Sequence, residues 1–149
     1  ESSTRLVFLR FGIVLSTKGG ALKQMLTPFN YYVGGVVGSG KQYMSWIHID
    51  DLVGIVLHLL AADVRGPVNV VAPTPVTNAE FTKSLGTALR KPTFFPLPAF
   101  IVKLVFGEMG KELLLASTRV DAGKIVKSGY TFQFPGLDGA LKDLIRREH

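Results

Sequence analysis

A largely apolar run without alternation comes near the start of the chain. Arg5 to Leu15 (RLVFLRFGIVL) is apolar, β-branched and aromatic, bounded by a polar start and by Ser16-Thr17-Lys18-Gly19-Gly20. A run of that length without alternation reads as a strand buried on both faces. Ala21, Leu22, Met25, Leu26 and Phe29 then fall at helical spacing, with Pro28 placed to bend or end the helix. Tyr31 to Ile49 holds two β-rich runs around Gly38-Ser39-Gly40, the pattern of a hairpin or a pair of short strands. Asp50 or Asp51 is expected to cap a largely buried helix carrying Leu52, Val53, Ile55, Val56, Leu59 and Leu60. Val68 to Ala72 reads as a second interior strand, closed by Pro73-Thr74-Pro75. Thr77 or Asn78, followed by Glu80, opens a helix to about Leu89.

From Lys91 the pattern changes. Pro92, Pro96 and Pro98 impose an extended connector, and short helical patterns follow at 99–106, 111–116, 121–128 and 137–147. The chain thus divides into an α/β part, residues 1–90, and a small helical part, residues 91–149. Two strands that are apolar on both faces do not make a covered sheet, so the pattern calls for further strands from outside these residues. The opening Glu1-Ser2-Ser3-Thr4 has neither an initiator Met nor a signal-peptide pattern, and it reads as a chain entered midway.

Composition narrows the function classes. With 47% hydrophobic and 19% charged residues, 16 Gly and 8 Pro, the 149 residues suit a globular α/β protein with tight connections. The absence of cysteine excludes disulfides, thiolate metal sites and Cys nucleophiles. A net charge of +6 comes from Lys and Arg that are scattered along the chain, which argues against a nucleic-acid patch. The apolar stretches 52–62 and 94–106 fall short of the roughly 20 residues a bilayer span requires. The reading is a soluble protein of the cytoplasm or of an organelle matrix or stroma, not a secreted one.

Motif chemistry is sparse. Gly35 to Lys41 (GVVGSGK) has the glycine spacing and lysine of a phosphate loop, but Gln42 stands where a Mg²⁺-binding hydroxyl is needed. Its glycines also lie between two β-like runs, not at a strand-to-helix turn. No metal-ligand spacing surrounds His58, which reads as an ordinary helix residue. His48, between Trp46 and Asp50-Asp51 at a strand end, is the more promising histidine. The residues four after Tyr31, Tyr32, Tyr43 and Tyr130 are Gly35, Val36, Ile47 and Phe134, so no Tyr-xxx-Lys pair is present.

Several segments in fixed order carry a family resemblance: RFGIVL at 10–15, GGAL at 19–22, GSGKQYMSWIHIDDL at 38–52 and NVVAPTPVTNAEF at 69–81. GEMGKELLLAS at 107–117 and GYTFQFPGLDGALKDLI at 129–145 add to them. Together they resemble the epimerase family of atypical, extended short-chain dehydrogenases/reductases, and their last part resembles that family's short C-terminal domain of uncharacterised function. The resemblance implies the C-terminal portion of an NAD(P)-binding Rossmann-type fold plus a small helical C-terminal subdomain. The missing N-terminal half of the same protein would then carry the glycine-rich phosphate turn and the Tyr-xxx-Lys pair.

On that resemblance the intact protein is an epimerase-like oxidoreductase using NADP(H) or NAD(H) on a small molecule of unknown identity. The alternative is a non-catalytic NAD(P)-binding scaffold or regulatory protein. Arg10, Gly12 and Val14 are implied near the nicotinamide end of the cofactor, and Gln42, Trp46 and His48, on one face by alternation, would line the substrate pocket. No catalytic residue and no metal ligand is assigned to this chain. Ile13 and Met44 occupy positions where sugar-nucleotide enzymes of the family usually carry Asn and a diphosphate-gripping Arg, which argues against a nucleotide-sugar substrate.

Overall fold

The computed structural model describes residues 5–19, 22, 23, 26, 29–31, 34–93, 104, 107, 108, 117 and 119–148. The sequence patterns at 99–106 and 111–116 lie almost wholly outside them, as does most of the helix expected after Gly20.

The first strand is built in two pieces. β1 (Val7–Phe11) and β2 (Ile13–Leu15) flank Gly12, and the partner changes there. β1 pairs in parallel with β5 (Gly66–Val70), whereas β2 pairs in parallel with β4 (Trp46–His48). At the fork Gly12 N–H donates to the Val70 carbonyl at 3.4 Å, Ile13 N–H to the Ser45 carbonyl at 2.8 Å, and Ala72 N–H to the Trp46 carbonyl at 2.7 Å. A Cβ on Gly12 would lie 2.5 Å from the Ser45 carbonyl oxygen and 2.8 Å from Val71 Cγ1. Only glycine lets three strands meet so closely.

The hairpin expected around Gly38-Ser39-Gly40 does not form. β3 (Tyr43–Met44) pairs antiparallel with β6 (Val76–Thr77), and β4 goes to β2. The glycine loop is fastened by side chains instead. Val37 N–H donates to Asn78 Oδ1 at 2.7 Å, Gln42 Nε2 donates to the Val37 carbonyl at 2.9 Å, and Asn78 N–H donates to the Gln42 carbonyl.

Four helices complete the described fold: α1 (Ile49–Ala61), α2 (Asn78–Leu89), α3 (Gly123–Lys127) and α4 (Leu137–Glu148). The start of α2 follows its sequence, with a reciprocal capping box between Thr77 and Glu80. α1 departs in two ways. Its N-cap is the His48 ring, not Asp50 or Asp51, and Val53, Leu57 and Leu60 form an exposed row, so the helix is not largely buried.

Side-chain alternation on β2 and β4 separates two cores. Ile13, Leu15 and Trp46 face α2 and α4, where they meet Phe81, Leu85, Leu141 and Leu144. Val14 and Ile47 face the opposite way, toward Ile55 and Leu59 of α1 and Ile125 of α3. In α4, Leu137, Ala140, Leu141 and Leu144 are buried at helical spacing, so the last helix shares the core of the α/β part. β1 is less covered, with Phe8 and Phe11, and Leu6 just before it, more than half exposed. No helix among the described residues is long and apolar enough to cross a membrane.

Candidate functional site at the carboxyl ends of the strands

In α/β sheets, ligands gather where parallel strands end and diverge. Here that place is the fork at Gly12, and residues 117 and 119–121 lie across it. Tyr43 N–H donates to Ser117 Oγ at 3.1 Å, Val120 N–H to Ser45 Oγ at 2.9 Å, and Asn69 Nδ2 to the Asp121 carbonyl at 3.0 Å. Asp121 Oδ1 in turn accepts from Gly123 N–H at 2.9 Å, fixing the turn into α3. Between these anchors Arg119 is exposed, its guanidinium carbon 4.8 Å from the centre of the Tyr43 ring. Pro73, Pro75, Arg119, Val120 and Asp121 enclose an open cavity of about 330 Å³.

The sequence-predicted residues divide around this site. Arg10 is exposed on β1, in register with Asn69, and Gly12 sits at the fork. The Val14 side chain packs in the core beneath α1. Gln42, Trp46 and His48 do share a face, as alternation requires, but the structure turns that face inward. Gln42 bonds the Val37 carbonyl, Trp46 Nε1 donates to the Thr74 carbonyl at 2.9 Å, and His48 is fully buried. Each is closed over by this chain's own atoms. Ile13 and Met44 are also buried and apolar, offering no charged donor.

A second polar cluster surrounds the start of α1. His48 Nε2 meets Asp143 Oδ2 at 2.8 Å, and Arg147 reaches both Asp143, at 3.0 Å, and Asp50, at 2.5 Å. Arg146 completes the pairing of Asp143 at 2.9 Å. Ligand atoms of His48, Asp50 and Asp143 lie within 4.8 Å of one another, close enough to hold a cation. Their lone pairs are already committed to two guanidinium groups and to the Asp50 N–H, so this is an ion-pair network. The Arg147 hydrogen bond, opposed by burial, holds the Asp50 carboxyl below its usual range.

Beside it, the fully buried Asp51 carboxylate accepts from the Tyr130 hydroxyl at 2.7 Å, Gln133 N–H at 2.8 Å and Phe134 N–H at 2.9 Å. Burial, and then the Asp51 hydrogen bond, push the Tyr130 phenol above its usual range, so it stays a donor. A Cβ on Gly54, one turn into α1, would strike that hydroxyl. Sequence reasoning took Asp50-Asp51 only as a cap and gave Arg119 and Asp143 no role. The partners lie 76 to 97 residues away, beyond any local pattern.

With this geometry in place, known proteins supply the context. Residues 97–144 match a domain of unknown function, DUF1731. The human epimerase family protein SDR39U1 is 46% identical over 144 residues, which cover 96% of this chain and 49% of that protein. The chain resembles the C-terminal half of the epimerase family, end to end. An epimerase family protein of Staphylococcus aureus strain MRSA252 is 41% identical over 148 residues, 99% of this chain and 49% of its own length.

The crystal structure of human SDR39U1 isoform 2 with NADPH superposes with a TM-score of 0.90 at 44% identity, covering 98% of this chain and 50% of that one. A nucleoside-diphosphate sugar epimerase of Corynebacterium glutamicum follows at 0.72 and 32%, covering 95% of this chain and 26% of that one. The α/β fold is therefore that of the C-terminal portion of a Rossmann-type epimerase. The chain spans about half the length of the curated relatives it matches.

Proposed function

We propose that this chain is the C-terminal half of an NADP(H)-binding, epimerase-like oxidoreductase that acts on a small molecule. The observation that carries the reading is the superposition, over 98% of the chain, on human SDR39U1 solved with NADPH. In this reading the preceding half brings the phosphate-gripping glycine turn and the Tyr-xxx-Lys pair, neither of which occurs in these residues. The nicotinamide, when bound, supplies hydride transfer. This chain's own part is to close the crevice from the strand ends, with Arg10 and Gly12 bordering the nicotinamide end.

The exposed apolar surface supports the same reading. Leu6 just before β1, Phe8 and Phe11 on it and, separately, Val53, Leu57 and Leu60 on α1 expose apolar surface of the kind that covered sheets present to neighbouring elements. β1 pairs along one edge with β5, and no other described strand joins its second edge. The preceding half would pair there and cover that surface.

The intact protein, titrated with NADPH, tests the function. Saturable enhancement of nicotinamide fluorescence and a ligand-dependent rise in melting temperature are the expected results. Absence of both would remove the cofactor reading. Binding without a Tyr-xxx-Lys pair upstream would convert the enzyme into a cofactor-bearing scaffold.

A further inference from the structure

We propose that Arg119 and the cavity beside it bind an oxyanion, a carboxylate or phosphate, on the small molecule that the protein acts upon. This rests on reading the strand ends as the site wall and adds a substrate class to it. Three observations converge on the assignment.

The first is the electrostatic state of the residue. Four described arginines are committed: Arg65 to Asp63, Arg146 to Asp143, Arg147 to Asp50 and Asp143, and Arg5 to the Leu59 carbonyl; Arg10 and Arg90 share with Arg119 the lack of an ion pair among the described residues, but neither borders the cavity. Arg119 has no ion pair among the described residues, and its recorded contact is the Tyr43 ring. An aromatic ring holds a guanidinium without consuming its N–H groups, so the five-donor fork stays available for a planar or tetrahedral oxyanion.

The second is anchoring. Ser117 and Val120, two residues before and one after Arg119, are fastened to Tyr43 and Ser45, and the Asp121 carbonyl to Asn69. A surface arginine held only by its own side chain would sweep a wide volume. This one is held by the Ser117 side chain on β3 before it and by its own backbone after it, at Ser45 and at Asn69 of β5, which lowers the entropy lost on binding.

The third is placement. The cavity lies past the carboxyl end of β5, with the stiff Pro73 and Pro75 in its lining. Its one acid, Asp121, is turned into its own backbone, where Oδ1 accepts the Gly123 N–H. The cavity therefore presents a cation beside a rigid apolar wall, which suits a small molecule with one anionic end.

The test uses the intact protein with saturating NADPH, so that added anions cannot occupy the cofactor's phosphate sites. Inorganic phosphate and sodium acetate are titrated separately against chloride at constant ionic strength, following the Arg119 side-chain Nε–Hε resonance, assigned by its loss in R119K. A saturable shift with either anion is expected. Melting-temperature titrations should show apparent anion affinity reduced about tenfold or more in R119Q, the size of a lost charge-assisted pair, with a smaller loss in R119K.

NADPH affinity should be the same in all three proteins. An anion response of equal size in R119Q and wild type, or no Arg119 response to either anion, would overturn the proposal. Should NADPH fail to bind at all, the cofactor reading falls alone, because the Arg119 resonance still reports anion binding directly.

Discussion

His48 Nε2 lies 2.8 Å from Asp143 Oδ2, joining the end of β4 to the last helix across 95 residues of sequence. On the other side of the ring, Nδ1 accepts the Asp50 N–H at 2.9 Å and so caps α1. A backbone N–H can only donate, so Nδ1 carries no proton and Nε2–H must donate to Asp143. Phe134 stacks on the same ring, 4.0 Å between centroids. A neutral imidazole thus caps α1 and ties β4 to α4 at once. Long-range ¹H–¹⁵N correlation spectra at neutral pH should show His48 as the Nε2–H tautomer; an Nδ1–H tautomer or an imidazolium would contradict the geometry.

Asp51 is the more consequential neighbour. Its buried carboxylate satisfies three donors from residues 130–134, and removing it strands all three. Each of these part-buried donors left without its acceptor costs on the order of 1 kcal/mol at most, so Asp51→Ala should destabilise the intact protein by roughly 2 to 3 kcal/mol. Asp51→Asn keeps one acceptor oxygen but points an N–H₂ at a donor, and its cost should be smaller. Urea midpoints measured by circular dichroism decide this. Midpoints equal to wild type would mean that water replaces the carboxylate at no penalty.

Asp50 gives a dependence on pH whose sign follows from its lowered pKa. A carboxylate that titrates lower in the folded state contributes stability above its unfolded pKa, about 3.9, and loses it as pH falls through the folded value. The cause is the Arg147 hydrogen bond. Asp50→Asn should therefore melt below wild type at pH 6 to 7 by a small margin, since the pair is partly solvated. That margin should close below about pH 4 and shrink in about 1 M salt. A margin independent of pH would assign the stability to packing.

How far the sequence reached can be traced residue by residue. The Thr77–Glu80 capping box and the buried stripe of α4 were legible because both are local patterns, written within one or two turns. The apolar run at Arg5 to Leu15 was legible as strand, but its change of partner at Gly12 was not. That break depends on where Ser45 and Val71 arrive from elsewhere in the chain. Alternation placed Gln42, Trp46 and His48 on one face without saying whether the face met a pocket or a core. Their partners in the fold are Val37, Thr74 and Asp143, each remote or loop-borne. Arg119 was invisible for a related reason: it lies between helical patterns, and its meaning comes from Tyr43, 76 positions earlier.

The fork at Gly12 supports a prediction with its own control. Gly12→Ala puts a methyl group 2.5 Å from the Ser45 carbonyl oxygen and 2.8 Å from Val71 Cγ1, and the nearer atom is backbone that cannot rotate away. Overpacking of that kind costs about 1 to 3 kcal/mol. Because Ser45 also accepts from Val120 N–H, the strain should propagate to the segment that carries Arg119. The expected result is a lower urea midpoint, together with a displaced Val120 amide resonance. Gly139→Ala is the comparison: it lies exposed within α4, and an added Cβ there meets nothing within 4 Å. Replacing glycine in a helix interior should raise stability by roughly 0.5 to 1 kcal/mol. Opposite signs for the two substitutions would show that the fork, not loss of glycine flexibility, sets the effect at Gly12; a stabilising or neutral Gly12→Ala would mean that the three strands stand further apart than this packing requires.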